Sequence, residues 1–164
     1  MKIIFFSDSH RDIEPMVEVI RELEPDLVIH LGDHIHDAIE LRKRFPHKSI
    51  EAVSGNCDLG STVPSLKLIN CKGIDIFITH GDEFGVRHGT TGVLREGIKQ
   101  GARIILFGHT HQPVIKKKKG VILLNPGRIG RRARGFWMPS FGIIEIADDI
   151  KYELEYYEDF LNRN

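Results

Sequence analysis

Apolar residues gather in short unbroken runs along this chain, and polar residues follow them abruptly. Lys2–Phe6, Leu27–Leu31, Ile50–Val53, Ile74–Ile78 and Ile104–Phe107 are each too short for a helix. Their Ile, Val, Leu and Phe residues are adjacent rather than alternating. That pattern describes strands buried on both faces, as in a parallel sheet covered by helices. Between the first runs the spacing becomes helical. Ile13, Met16, Val17, Ile20 and Leu23 predict a helix over Asp12–Glu24, with Asp12 as N-cap and Pro25 as its stop. Ala38, Leu41 and Phe45 predict another over Asp37–Phe45, with Asp37 as N-cap and its end before Pro46. Val93, Leu94 and Ile98 predict a third over Thr91–Gln100, closed by Gly101 at C′. With strands at Lys2–Phe6, Asp26–Leu31 and Ser49–Val53, the first third reads β-α-β-α-β.

The remainder favours hairpins. Leu66–Asn70 and Ile74–Thr79 flank a short turn, as do Val114–Lys118 and Val121–Leu124, and Ser140–Ile146 and Lys151–Tyr157. Alternation at Tyr152, Leu154 and Tyr156 marks a strand with one buried face. Arg103–Phe107 is a further strand. The expected fold class is α/β: two mixed β-sheets packed together with helices outside, a four-layer α/β/β/α sandwich formed by residues 1–164 as one domain. Gly127–Phe136, with four arginines and three glycines, is expected to be a mobile loop.

Composition narrows the function classes. At 164 residues and 41% apolar content the chain suits a globular domain with a substantial core. Lys plus Arg and Asp plus Glu number 23 each, so bulk charge does not hold this protein on nucleic acid. The apolar start is broken by Asp8 and His10 before it reaches leader length. No stretch approaches the ~18 apolar residues of a membrane span. Cys57 and Cys71 are too few for a disulfide framework and are expected as reduced thiols in a cytoplasmic protein.

The chemistry lies where the runs end. The first leads into Asp8-Ser9-His10 and the second into Gly32-Asp33. The third leads into Gly55-Asn56-Cys57-Asp58, the fourth into His80-Gly81 and the fifth into Gly108-His109-Thr110-His111. Loops at the carboxyl ends of parallel strands converge on one crevice. Asp8, His10, Asp33, Asn56, His80, His109 and His111 are therefore expected to share a pocket. These oxygen and nitrogen donors suffice for two metal ions, and hydrolysis at phosphorus is the leading expectation. Four imidazoles favour divalent transition metals over magnesium or calcium; Mn²⁺, Fe²⁺, Zn²⁺, Ni²⁺ or Co²⁺ would all fit, and Mn²⁺ is taken as the working expectation.

In order and spacing these blocks resemble the signature of the calcineurin-like metallophosphoesterases, nearest to their small single-domain bacterial and archaeal phosphodiesterases. Asn125-Pro126-Gly127 is similar to a late motif of that branch. The resemblance implies that Asp8, His10 and His111 hold one metal and Asn56, His80 and His109 the other. Asp33 would bridge both. It implies a hydroxide attacking a small phosphate ester, with Asn56 and His80 in the catalytic machinery, and it allows a homodimer. The alternatives are a phosphomonoesterase, a nuclease, or a non-catalytic scaffold similar to the retromer subunit of this fold. The chain departs from its relatives at Cys57, where several carry a histidine that aids the leaving group. Cys57 itself is expected to be a small core residue. Asp58 is the nearest replacement acid, and His34, His36 and Asp37 are further candidates. Arg128 is expected to contact the substrate phosphate, because a guanidinium fork suits bidentate binding beside that late motif.

Overall fold

In the first strand, β1 (Lys2–Phe6), successive side chains leave opposite faces, and both faces are apolar. Ile3 and Phe5 enter a core between two sheets, while Ile4 and Phe6 enter a second core under helices. The computed structural model describes residues 1–131 and 137–163. After β1 come α1 (Glu14–Leu23), β2 (Leu27–His30), α2 (Ile35–Arg44), β3 (Ser49–Ala52), β4 (Leu66–Cys71) and β5 (Ile74–Thr79). Then follow α3 (Thr91–Lys99), β6 (Ile104–Leu106), β7 (Pro113–Lys118), β8 (Val121–Pro126), β9 (Ser140–Ile146), β10 (Ile150–Tyr156) and α4 (Tyr157–Arg163).

One sheet has the order β10-β9-β1-β2-β3 and the other β4-β5-β6-β8-β7. Strands β1, β2 and β3 are parallel to one another, as are β5, β6 and β8, while β4, β7, β9 and β10 pair antiparallel. Both sheets are therefore mixed. Between them Ile3, Phe5, Ile29 and Leu31 meet Ile76, Ile78, Leu106 and Leu124. Each such side chain contributes about 1.5–3 kcal/mol on burial. Met16 and Ile20 of α1, Leu41 of α2 and Phe160 of α4 cover the outer face of the first sheet. Val93 and Leu94 of α3 cover that of the second. The four-layer sandwich expected from the pattern is present.

Details differ. Asp12 does not cap α1, which begins at Glu14 with Ile13 in the N-cap position and Pro15 in the first turn. The Asp12 carboxylate instead takes three hydrogen bonds from Arg131, at 2.9 Å each. Nor does Asp37 cap α2. The helix starts two residues earlier, after His34, and the buried Asp37 carboxylate accepts from Ser9 Oγ and the Arg11 amide. Gly101 does close α3, at φ +76°, with its amide donating to the Ile98 carbonyl. Helix α4 was not visible in the apolar pattern, since it continues from β10 without a turn residue. The expected mobile loop over 127–136 is corrected where it is described: Gly127, Arg128, Ile129 and Gly130 are buried, and the Ile129 and Gly130 amides donate to the Ser7 and Asp8 carbonyls. Arg132, Arg134 and Phe136 lie outside the described residues.

Candidate metal site

The carboxyl ends of both parallel sets meet at one edge of the sandwich. The Gly108 amide, after β6, donates to the His80 carbonyl after β5, and the His109 amide crosses to Asp8 Oδ2 at 3.1 Å. Contact this close requires glycine at two positions. A Cβ at Gly108 would fall inside the Ser7 side chain, and one at Gly55 inside the Asp33 carboxylate. Both glycines serve approach rather than left-handed turning, which is confined to Gly32 and Gly81 among the four glycines beside the ligand residues. Asp8, His10, Asp33, His109 and His111 themselves sit at positive φ, between 46° and 66°. Strained backbone of this kind gathers at functional sites.

The seven expected side chains come together in two linked groups. In the first, His111 Nε2 lies 3.1 Å and His10 Nε2 4.0 Å from Asp8 Oδ1, and the two Nε2 atoms are 3.3 Å apart. In the second, His80 Nε2 lies 3.2 Å from Asn56 Oδ1, 3.1 Å from His109 Nδ1 and 3.4 Å from Asp33 Oδ1. Asp33 also joins the groups, since one of its oxygens, one of Asp8's and an imidazole nitrogen of His80 all lie within 4.8 Å of one another. Asp8, Asp33 and His80 form a buried floor, and His10, His109 and His111 a half-buried rim.

This arrangement fits cations. His80 Nδ1 faces the Leu31 carbonyl at 2.8 Å and must carry the ring proton there. In the neutral ring, Nε2 then presents a lone pair to the oxygens of Asn56 and Asp33. Acceptors facing acceptors at hydrogen-bond distance need a positive centre between them. Asp8 Oδ1 is buried with no hydrogen-bond donor. Burial pushes the Asp8 carboxyl up, but His111 and His80 outweigh it and hold it below the ordinary carboxylate range. Burial pushes His10 and His109 down, against the pull of Asp8 on both, and so keeps them neutral and able to donate a lone pair.

The residues expected near the leaving group separate clearly. Asp58 is an anchor, not a free acid: Oδ1 accepts the amides of His34 and Ile35 at 3.0 and 2.8 Å, and Oδ2 that of Gly55 at 2.8 Å. Cys57 is exposed rather than packed in the core, and its Sγ donates to Asp33 Oδ2 at 3.2 Å. Desolvation and Asp33 push its thiol up to about 11. His36 is exposed, and Asp37 is consumed by Ser9 and Arg11. His34 remains, half-buried, with its ring edge-on to His10 at 5.2 Å. Arg128, expected as a substrate contact, is turned toward the protein. It is 6% exposed, and its Nε and Nη1 donate to the carbonyls of Trp137 and Gly130.

Sequence reasoning missed the braces beneath the ligands. The Gly32 amide donates to His30 Nδ1, which leaves the proton on Nε2 to be donated to Ser9 Oγ at 2.9 Å; Ser9 donates to Asp37 at 2.6 Å. Burial pushes His30 down to about 4. The signal was a histidine inside an apolar strand, which demands a buried partner. Asn125 in the late motif holds the His109–His111 turn, with Nδ2 donating to the Gly108 carbonyl at 2.7 Å and to Thr110 Oγ1 at 3.1 Å.

Known proteins share this sequence and shape. Residues 1–149 match the family model described as the calcineurin-like phosphoesterase superfamily domain. The probable metallophosphoesterase YsnB of Bacillus subtilis is 31% identical over 91% of this chain and 86% of its own. The phosphodiesterase MJ0936 of Methanocaldococcus jannaschii is 29% identical over 88% of this chain and 93% of its own. The crystal structure of a predicted phosphoesterase from Streptococcus pneumoniae superposes with a TM-score of 0.81 at 26% identity, covering 96% of this chain and 90% of that one. Vps29 of Entamoeba histolytica shares the fold, with a TM-score of 0.76 at 20% identity over 95% of this chain and 99% of its own.

Proposed function

We propose that this chain, which belongs to the calcineurin-like phosphoesterase superfamily, is a phosphodiesterase whose edge loops hold two divalent cations against a small phosphate ester. The observation that carries this is the double ring of lone-pair donors around Asp33, with Asp8, His10 and His111 on one side and Asn56, His80 and His109 on the other. A pair of bound cations would supply a hydroxide formed near neutral pH and would polarise the phosphoryl oxygens. Asp33 offers two charged oxygens to the space between the groups. Asn56 contributes a neutral oxygen and so leaves its half of the site more electrophilic than a carboxylate would. His34 is left to protonate the departing alkoxide, because Asp58, Asp37 and the Cys57 thiol are engaged as described. Both cysteines are free, in keeping with the cytosol as its compartment. No described helix is long and apolar enough to cross a membrane.

The completeness of the donor set supports catalysis over a scaffold role. Metal-stripped protein reloaded with Mn²⁺ or Ni²⁺ is expected to hydrolyse bis(p-nitrophenyl) phosphate faster than p-nitrophenyl phosphate, and Asp33→Asn is expected to abolish both rates while the far-ultraviolet circular dichroism stays native. Turnover of neither ester under any transition metal would move the reading to a scaffold. Near-normal turnover by Asp33→Asn would remove the two-cation arrangement.

A further inference from the structure

His109 and His111 form part of the wall of a cleft of about 480 Å³ that leads away from the proposed cation pair. Its other walls include Arg87 and His88, on the short helical turn Val86–His88, and Lys116 of β7. No carboxylate lines it. Side chains alternate along a strand, so Lys118 follows Lys116 on the same face, roughly 7 Å farther on. A smaller cleft of about 260 Å³ lies there, with Arg95, Lys118 and Lys119 on its walls and again no acid. Several cations elsewhere are neutralised: Lys43, Arg44, Lys67, Lys99, Arg131 and Arg163 all sit in ion pairs. Among the described residues, Arg87, Arg95, Lys116, Lys118 and Lys119 are in none. A chain of zero formal charge thus carries a strip of unneutralised positive charge that begins beside its catalytic edge. Like charges this close repel one another, and an anion along the strip would relieve that repulsion.

We infer that this strip is a subsite for a second phosphate group, so that the preferred ester carries, beside the scissile diester, a further phosphate on the arm lying along β7. Arg87 and Lys116 are the first contacts. Arg87 supplies a fork for two phosphate oxygens and Lys116 a compact point charge. The strip is solvent-exposed, so its effect weakens as salt rises. The inference rests on the phosphodiesterase reading and adds the class of substrate.

The test compares thymidine 5′-(p-nitrophenyl) phosphate with the same ester bearing a 3′-phosphate, on Mn²⁺-loaded protein at low salt. The phosphorylated ester is expected to have a kcat/KM about tenfold higher, through KM, which is the effect of one charge-assisted hydrogen bond. The ratio is expected to collapse toward one in Arg87→Gln/Lys116→Gln. It is expected to survive in Lys43→Gln/Lys72→Gln, which makes the same change in net charge elsewhere. Equal values in the unaltered protein, persistence of the ratio in the first variant, or an equal loss in the second would each overturn the inference. Absence of turnover on both esters would count against the phosphodiesterase reading instead. Calorimetric titration of metal-free protein with tripolyphosphate then reads the cleft alone: binding lost in Arg87→Gln/Lys116→Gln upholds the subsite, and absent or unchanged binding refutes it.

Discussion

Asp58 and His34 show how little a residue type says about a role until its partners are known. Both stand near the leaving-group side, and the sequence offered both as proton donors. The Asp58 carboxylate spends both oxygens on three backbone amides, while the His34 ring has a free edge beside His10. Asp58→Asn is therefore expected to lower stability by about 1–3 kcal/mol, since an amide turns an NH₂ toward amide donors and leaves them unsatisfied. It should leave the shape of the pH–rate profile intact. His34→Asn should do the reverse, with slowing greatest for alkyl esters whose leaving groups need a proton. Urea denaturation and pH–rate profiles of the two variants, measured side by side, separate the roles; a lost basic limb in Asp58→Asn alone would restore Asp58 as the acid. The seven donors at strand ends were legible because each combines a ligand-type side chain with a preceding buried run. The fate of Arg128 was not legible, since the carbonyls that capture its fork belong to residues two and nine positions onward and no periodic pattern ties them together.

Strands and helices were read well where burial imposed a period, and poorly where a single side chain chose between local and distant partners. All three Asp12–Arg131 hydrogen bonds span 119 positions, and so outcompeted a local helix cap on information absent from any window of the chain. The same logic makes the junction of β1 and β6 demanding. Gly108 lies against Ser7 and Asp8, and the loops it joins carry four of the seven donors. Gly108→Ala is expected to push these loops apart. Overpacking should cost about 1–3 kcal/mol, and Mn²⁺ affinity should fall with it. Equilibrium dialysis with thermal denaturation checks this, and unchanged affinity would show that the β1–β6 contact does not set the donor geometry.

The whole molecule closes at this edge, where loops from both sheets meet over the buried Asp8 carboxylate. Cations binding only the folded state should stabilise it by about 2.7 kcal/mol per site at a hundredfold excess over Kd, which is roughly a 5–10 °C rise in Tm for a chain of this size. The pH dependence of the metal-free form has a definite sign. Burial lowers the folded-state pKa of His30 to about 4 from an ordinary 6.5, so His30 favours folding above 6.5 and that contribution is lost as pH falls toward 4. Calorimetric scans from pH 8 to pH 4, with chelator and with Mn²⁺, should show both effects; a Tm indifferent to Mn²⁺ would refute cation binding at the edge. Non-glycine residues in left-handed backbone supply the last consequence. Asp8, His10, Arg11, Asp33, His34, His109 and His111 all adopt it, each at about 1 kcal/mol or more. Together they oppose folding by an amount on the order of the entire margin that keeps a small domain folded. Part of the fold's stability is thus forfeited at the ion-facing edge, and Arg11→Gly, which relieves twist without deleting a ligand, is expected to raise Tm in a thermal scan.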